Sequence, residues 1–380
     1  MGDSTPRSPA PGHAASGGGE SHGAHPPGEH DLADLYRRGW DTFLADELAT
    51  ILGRFEIGTV ERAHEYRRGS RSAPKLKLWT SDGTYLLKRR STLRHPVARI
   101  RFAQAIQSQL ERKGYPVAPL LRVRETGSTL LLLGDYAYEL FRFIEGDRFD
   151  KSGRLAGKSG EALGELHRIT ADLDPSAAPP ASYHDSPSVR KALDHLADAI
   201  QRVEPGQSRA ELESIARELR LIYARATDEI DVLGLRGLGR SVVHGDWHPG
   251  NLIFGNGGVL AVIDFDSARA EAWVTEIANG MLQFALQAGQ SRVPEEWPDD
   301  LDPHRLRAFL TGYLTVAARP LSADERAMVP WLMIEAMIAE SAIPVATHGT
   351  FADLSGASFM RLVLRKCQWV RHHRKAISEL

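Results

Sequence analysis

His244-Gly-Asp-Trp-His-Pro-Gly-Asn251 and, after a short gap, Val262-Ile-Asp-Phe-Asp266 set a carboxylate, a carboxamide and a second carboxylate at spacings suited to phosphoryl transfer. Such a transfer passes through a loose transition state, so the protein mainly positions a hydroxyl and neutralises charge on the phosphates. One Asp must accept or orient the acceptor hydroxyl. An Asn a few residues on must hold metal, and another Asp, closing an apolar strand, must bridge metal to phosphate. Asp246, Asn251 and Asp264 fit these roles in that order. Asp266 is placed for a second metal or for support of the loop.

Asp246 and Asn251 have the separation found in the kinase catalytic loop H-R-D-x-x-x-x-N, with Gly245 in place of the Arg. That Arg grips a phosphorylated activation loop in protein kinases, so switching of that kind is not expected here. Leu252-Ile-Phe254, the turn Gly255-Asn-Gly-Gly258 and the apolar run 259–265 predict a strand, turn, strand unit with polar groups at its mouth.

These residues resemble the signature H-G-D-x-H-x-x-N followed by I-D-F/W of the aminoglycoside phosphotransferase, choline kinase and type II homoserine kinase superfamily. The resemblance covers residues from about 50 to about 375. It implies an α+β, two-lobed protein-kinase-like fold, with a small antiparallel five-stranded sheet lobe and a larger, mainly helical lobe. It also implies ATP as donor and Mg²⁺ as cofactor. Two other readings stay open. His244, Asp246 and His248 alternate as transition-metal ligands could, although the companion motifs of a metallophosphoesterase are missing. A kinase-shaped nucleotide-binding protein without catalysis is the alternative from another class. His244 and His248 themselves are expected to tie down the loop.

The amino-terminal half should clamp the nucleotide. Lys75 to Trp79 and Thr84 to Lys88 read as two strands joined at Ser81-Asp-Gly83, and Lys88 is the candidate phosphate-binding lysine. Arg89 and Arg90 read as solvated. Phe55 to Glu61 reads as a preceding strand, and Gly69, Ser70 and Ser72 as a turn over the phosphates in place of a full G-x-G-x-x-G. The helix expected from Pro96 to Lys113 offers Gln104 and Gln107 where an acidic partner for Lys88 would stand. Runs at 115–121, 129–133 and 136–144 complete the sheet. Beyond them Phe143, Ile144 and Glu145 form a hinge whose backbone groups are placed to bind adenine.

A chain of 380 residues with 42% hydrophobic content and net charge −2 predicts about two cores and argues against a nucleic-acid partner. The expected organisation is a disordered tail at 1–30, a nucleotide-clamp lobe at 31–145 and a catalytic and acceptor-binding helical lobe at 146–380. Asp31 would cap a helix with apolar positions Leu32, Leu35, Phe43, Leu44, Leu48 and Ile51. His13, His22, His25 and His30 belong to the tail. The single Cys367 suits a reducing cytoplasm, and no run of eighteen apolar residues predicts a membrane span.

Helices are expected near 153–169, 189–203, 212–233, 270–287, 303–318, 322–342 and 354–378, from apolar spacing of three and four. The chain enters the fourth of these almost directly after Asp264, which leaves no room for a docking platform. The acceptor should therefore be a hydroxyl of a small molecule rather than a protein, and oligomeric state is not readable. Glu335 and Glu340 are candidates to meet a cationic acceptor, and Arg361, Arg365, Lys366, Arg371, Arg374 and Lys375 read as a solvated face.

Overall fold

Leu and Lys alternate in Lys75-Leu-Lys-Leu, and a strand sends alternate side chains to opposite faces, so one face of the first sheet is apolar and the other cationic. The computed structural model, which describes residues 43–66, 73–178, 182–289 and 291–380, bears this out. Strands β1 (Val60–Glu65), β2 (Lys75–Thr80), β3 (Gly83–Ser91), β4 (Leu131–Leu133) and β5 (Tyr136–Arg142) form an antiparallel sheet in the order β1-β2-β3-β5-β4. Leu76, Leu78, Tyr85, Leu87, Tyr138 and Leu140 fill the apolar side. Each fully buried leucine there stabilises by about 1.5–3 kcal/mol.

Helix α1 (Ala45–Leu52) closes this core with Ile51, but Leu44 stands at its N-cap with its side chain exposed. Phe43 and Leu48 pack into the same core as expected, while Leu32, Leu35 and Asp31, like Ser70 with Gly69 and Ser72 and the tail histidines, lie outside the described residues. Phe55 and Ile57 do not pair as a strand. They enter the apolar core ahead of β1, which begins at Val60. Arg89 and Arg90 are buried rather than solvated, because each finds a carboxylate within the fold: Glu47 for Arg89 at 2.8 Å, Glu139 for Arg90 at 2.7 Å.

Helix α2 (Val97–Arg112) turns Ala103, Ile106 and Leu110 into the second, larger core. That core is built by α3 (Gly153–Thr170), α4 (Pro187–Val203), α5 (Arg209–Val232), α6 (Trp273–Ala285), α7 (Pro303–Val316), α8 (Ala323–His348) and α9 (Gly356–Ser378). Small pairs interrupt it: β6 (Ser241–Val243) with β9 (Arg269–Glu271), β7 (Leu252–Gly255) with β8 (Gly258–Val262), and β10 (Thr350–Phe351) with β11 (Leu354–Ser355). The strand β9 takes residues expected to be helical, because Arg269 to Glu271 complete the ladder of β6 before α6 begins.

Helices α3 and α7 pack backbone to backbone. A Cβ on Gly160 would lie 2.0 Å from the Phe309 carbonyl, and one on Gly312 would lie 2.0 Å from that of Gly157. This approach sets His167 against Tyr313, with consequences for the site. Helix α8 is long and apolar enough by length and composition to cross a membrane, but 83% of its apolar window is buried, with α4, α5, α6 and α9 around it. The basic face of α9 is solvated only at Arg371, Arg374 and Lys375. Lys366 is buried and donates to the carbonyls of Pro298 and Asp300. Arg361 pairs with Glu211 and Glu295, and Arg365 with Asp299.

Candidate active site

The cationic face of the sheet and the mouth of the β7–β8 unit enclose a cleft of about 1010 Å³ lined by Lys75, Lys88, Asp246, Asn251 and Asp264 among others. Positions 86, 88 and 90 of β3 share one face, so Lys88 and Arg90 project together toward this cleft. Lys88 Nζ donates to Asp264 Oδ1 at 3.0 Å and to Asp266 Oδ2 at 2.7 Å, while Lys75 Nζ lies 3.6 Å from Asp264 Oδ2. Burial alone would lower the Lys88 pKa. The charges of Asp264 and Asp266 outweigh it and raise the value, so the lysine is a fixed cation. Burial likewise disfavours the Asp264 carboxylate, but Lys88 and Lys75 pull its pKa well below the usual range.

No acidic residue of α2 faces Lys88, as the sequence indicated, yet the lysine has more than a glutamine beside it. Glu139 lies directly opposite Lys88 in the β3–β5 ladder. Its carboxylate pairs with Arg90 at 2.7 Å, and Gln104 Nε2 donates to its other oxygen at 2.8 Å. Gln107 is committed elsewhere, to the Ala118 carbonyl. The acid thus arrives from a neighbouring strand, and the glutamine orients it. Arg90 also reaches Asp266 Oδ1 at 2.6 Å, so both oxygens of Asp266 are held by cations, which fits support of the loop.

The catalytic-loop candidates converge as their spacing predicts. Residues Pro249–Asn251 form one 3-10 turn, with His248 Nδ1 accepting from the Gly250 amide at 3.0 Å. Asn251 Nδ2 then donates back to the Asp246 carbonyl and to Asp246 Oδ2. His248 Nε2 lies 3.4 Å from the same oxygen. Burial would raise the Asp246 pKa, but the His248 hydrogen bond and charge lower it, and Asp246 in turn raises that of His248. Asp264 adopts the left-handed conformation at φ 64°, ψ 61°, which Asp tolerates better than most residues and which turns its carboxylate out of the strand direction.

Two buried links hold these loops. His244 Nδ1 accepts from the Asp246 amide at 3.3 Å and Nε2 bonds the Ile263 carbonyl at 3.0 Å, tying the Asp246 loop to the residue before Asp264. The amides of His244 and Gly245 donate to the Glu276 carboxylate, which binds His167 Nε2 at 2.8 Å, and His167 Nδ1 reaches the Tyr313 hydroxyl at 3.0 Å. Glu276 carried no signal in the sequence beyond its place on a helix. The Phe143 amide is used by the Thr84 carbonyl, so of the three hinge amides only those of Ile144 and Glu145 have no acceptor among the described residues. The Glu145 side chain pairs with Lys77 at 2.5 Å.

Behind Gln283, which lines the cleft, lies a further carboxyl group. Glu340 of α8 is half-buried and bonded to Gln283 of α6. Burial first, then the charge of Asp246, push its pKa up to about 7. Glu335 is buried beneath Thr227 and His184, and of the residues around these two glutamates it is Gln283 that lines the cleft.

Among the described residues no three His, Cys, Asp or Glu side chains cluster as a preformed metal site. The oxygen donors that remain suit a hard cation completed by phosphate oxygens and water. Asn251 Oδ1 has no protein donor among the described residues, and the Asp264 carboxylate stands at the cleft. The metallophosphoesterase arrangement is not present there.

Known proteins resemble this chain in sequence and in fold. Residues 62–325 match the model of the "Phosphotransferase enzyme family". The chain is 26% identical to a homoserine kinase of Mesorhizobium japonicum over 287 residues, 75% of this chain and 81% of that protein. Its fold superposes on amicoumacin kinase, solved in complex with AMP-PNP, Ca²⁺ and Ami, with a TM-score of 0.60 at 14% identity, covering 92% and 96% of the two chains. The corresponding values for an aminoglycoside phosphotransferase of Alicyclobacillus acidocaldarius are 0.62 and 13%, covering 91% and 97%.

Proposed function

Since this chain belongs to the phosphotransferase enzyme family, we propose that it moves the terminal phosphoryl group of ATP to the hydroxyl of a small molecule at the cleft between Lys88 and Asp246. The observation that carries this reading is convergence. Asp246 with Asn251, and Asp264 with Lys88, reach one cavity from positions far apart in the chain.

In this reading Asp246 receives the proton of the acceptor hydroxyl as its oxygen bonds to the γ-phosphorus and the bond to the bridging oxygen of ADP breaks. Asn251 holds the Asp246 carboxylate in place through Nδ2 and offers Oδ1 to metal. Asp264 is the second protein ligand, with Asp266 anchoring its loop through Lys88 and Arg90. A magnesium ion bound there would neutralise charge on the phosphates. Lys88 and Lys75, held ready by the two carboxylates, bind the phosphate oxygens, and Ile144 and Glu145 offer backbone groups to adenine. Ser70 remains a candidate phosphate donor. The boundary between a nucleotide lobe at 31–145 and a catalytic lobe at 146–380 belongs to the same reading, as does a cytoplasmic setting where ATP is abundant.

The reading of a non-catalytic binding protein rested on a missing acidic partner, and Glu139, Asp264 and Asp266 together supply that charge. The test is ADP release in the presence of Mg²⁺ across a panel of amino alcohols, homoserine, sugars and aminoglycosides, with product phosphorylation read by mass. Phosphorylation of none, by protein that binds ATP, would overturn the proposal.

A further inference from the structure

Helices α5, α8 and α9 pack on one another, and among them opens a second cavity of about 670 Å³ that shares no lining residue with the cleft. Three arginines line it: Arg225 of α5, and Arg371 and Arg374 of α9. Arg225 pairs with Glu229, one turn on in the same helix, and Glu229 is the one carboxylate of the lining. Arg371 and Arg374 pair with no carboxylate among the described residues. Helix α9 holds no acid between Gly356 and Ser378, and Glu379 just beyond it pairs with Lys375. Arg374 Nη1 donates to the Arg371 carbonyl at 3.0 Å, which ties the guanidinium back to its own helix and leaves most of its N–H groups unclaimed.

Three guanidiniums against one carboxylate give the lining a net charge of +2 with His372 neutral. Like charges gathered this way repel, and helix polarity does not account for them. A helix C-terminus favours cations within its last turn, which in α9 holds only Lys375, and Lys375 does not line the cavity. The remaining wall is apolar: Trp331 of α8, 8% exposed, lines the same cavity. Guanidinium forks match phosphate oxygens bidentately, and a phosphomonoester carries a charge of about −1.5 to −2 at pH 7, close to the excess here. A carboxylate brings only one charge. The volume is that of a small-molecule pocket rather than of a flat docking face.

We propose that the cavity between α5, α8 and α9 is a binding site for a small phosphomonoester, with the phosphate held by Arg371, Arg374 and Arg225 and the organic part resting on Trp331. The site is separate from the cleft and stands whether or not the cleft transfers phosphate. Its residues take no part in bond making.

The experiment titrates phenyl phosphate, inorganic phosphate and benzoate into the full chain by calorimetry, without divalent cations, in wild type, Arg371→Gln, Arg374→Gln, the double variant and Lys88→Met. Wild type should bind phenyl phosphate more tightly than inorganic phosphate, which lacks the organic part, and about 10-fold more tightly than benzoate, which lacks the second charge. Each arginine variant should lose about 10-fold and the double variant about 100-fold, the range for charged hydrogen bonds, with ATP affinity and thermal midpoint as in wild type. Lys88→Met should bind phenyl phosphate as wild type does. Unchanged affinity in the double variant would overturn the proposal, and so would equal affinity for benzoate, which would reduce the cavity to unselective charge. Binding lost in Lys88→Met would overturn it by placing the phosphate in the cleft. A parallel arm sediments the chain with phosphatidylcholine vesicles with and without phosphatidic acid. Retention on the acidic vesicles by a chain that does not bind phenyl phosphate would overturn the small-molecule site in favour of a lipid surface.

Discussion

Asn251 Nδ2 bridges its own loop to Asp246, donating to the backbone carbonyl and to Oδ2 at 2.9 Å each. With His248 on the same oxygen, Oδ2 is fixed and Oδ1 is the oxygen left to meet an acceptor hydroxyl. Asp246→Asn keeps the shape and removes the proposed proton acceptor. Turnover should fall by about 10²- to 10⁴-fold, the usual worth of a positioned acid-base group, with Mg·ATP affinity by calorimetry close to wild type. A rate that survives would remove Asp246 from the role of base.

Lys88 is locked before any nucleotide arrives, by Asp264 at 3.0 Å and Asp266 at 2.7 Å. Phosphate oxygens can replace these carboxylates without new side-chain ordering. Lys88→Met should therefore weaken ATP binding by about 10- to 100-fold, as loss of charged hydrogen bonds does, and steady-state kinetics in ATP would show it. Glu139→Gln, which leaves Asp266 as the one carboxylate paired with Arg90 among the described residues, should act in the same direction but more weakly. An unchanged KM for ATP in Lys88→Met would place the phosphates elsewhere.

Gly245 has φ 82°, and a Cβ there would lie 2.1 Å from the Ser267 carbonyl and 2.4 Å from Arg269 Nη1. The obstacle is backbone, so it cannot swing aside. Gly245→Ala should cost about 1–3 kcal/mol through the positive φ alone, with further loss from the clash, and denaturant melts would measure it. Because the displaced carbonyl belongs to the turn after Asp264, metal-dependent ATP binding should weaken as well.

The buried cluster around His184 gives a stability signature in pH. Its Nδ1 lies 3.2 Å from the Glu335 carboxylate and its Nε2 lies 3.0 Å from Asp231. Burial lowers its pKa, but Glu335 and then Asp231 outweigh it, so the folded value is raised above 6.5. A raised histidine contributes stability fully below its unfolded pKa and loses it as pH rises through the folded one. The stability gap between wild type and His184→Gln should be widest in mild acid and shrink toward alkaline pH. A gap that does not change with pH would show that the imidazolium is not held by these acids.

The loop geometry was legible because it is local: the interval from Asp246 to Asn251 is closed by a single turn, and Asp264 follows a strand whose apolar run is visible. The alternation of β3 also carried an unused signal, since Lys88 and Arg90 must share a face. Arg90 is nevertheless buried, because the sheet's second face is covered by residues distant in the chain. Glu139 left no signal in the sequence, and Glu340 could be named there only as one of two helix carboxylates, with no partner. The first acquires its role from a β3–β5 register and the second from the packing of α6 against α8, and neither contact leaves a local pattern. Lys366 misled for the same reason, its carbonyl partners lying in a distant loop.

Glu340 provides a second pH test, this time from a carboxyl group. The groups that bear on it are Asp246 and His248 of the catalytic loop and Tyr183, with neutral Gln283 and Asn279 from α6. Burial and the Asp246 charge raise its pKa from 4.5 to about 7, so it exchanges its proton near neutrality. A raised carboxyl pKa means the folded chain holds more protons than the unfolded one between those values, so this group lowers stability as pH rises from 4.5 toward 7. Relative to Glu340→Gln, wild type should therefore lose stability over that interval by up to about 1.4 kcal/mol per pH unit, the slope of one linked proton, and level off above it, as denaturant melts at each pH would show. His248, whose pKa Asp246 raises, is retained in Glu340→Gln. A loss that persists undiminished in the variant would therefore remove the proton from Glu340.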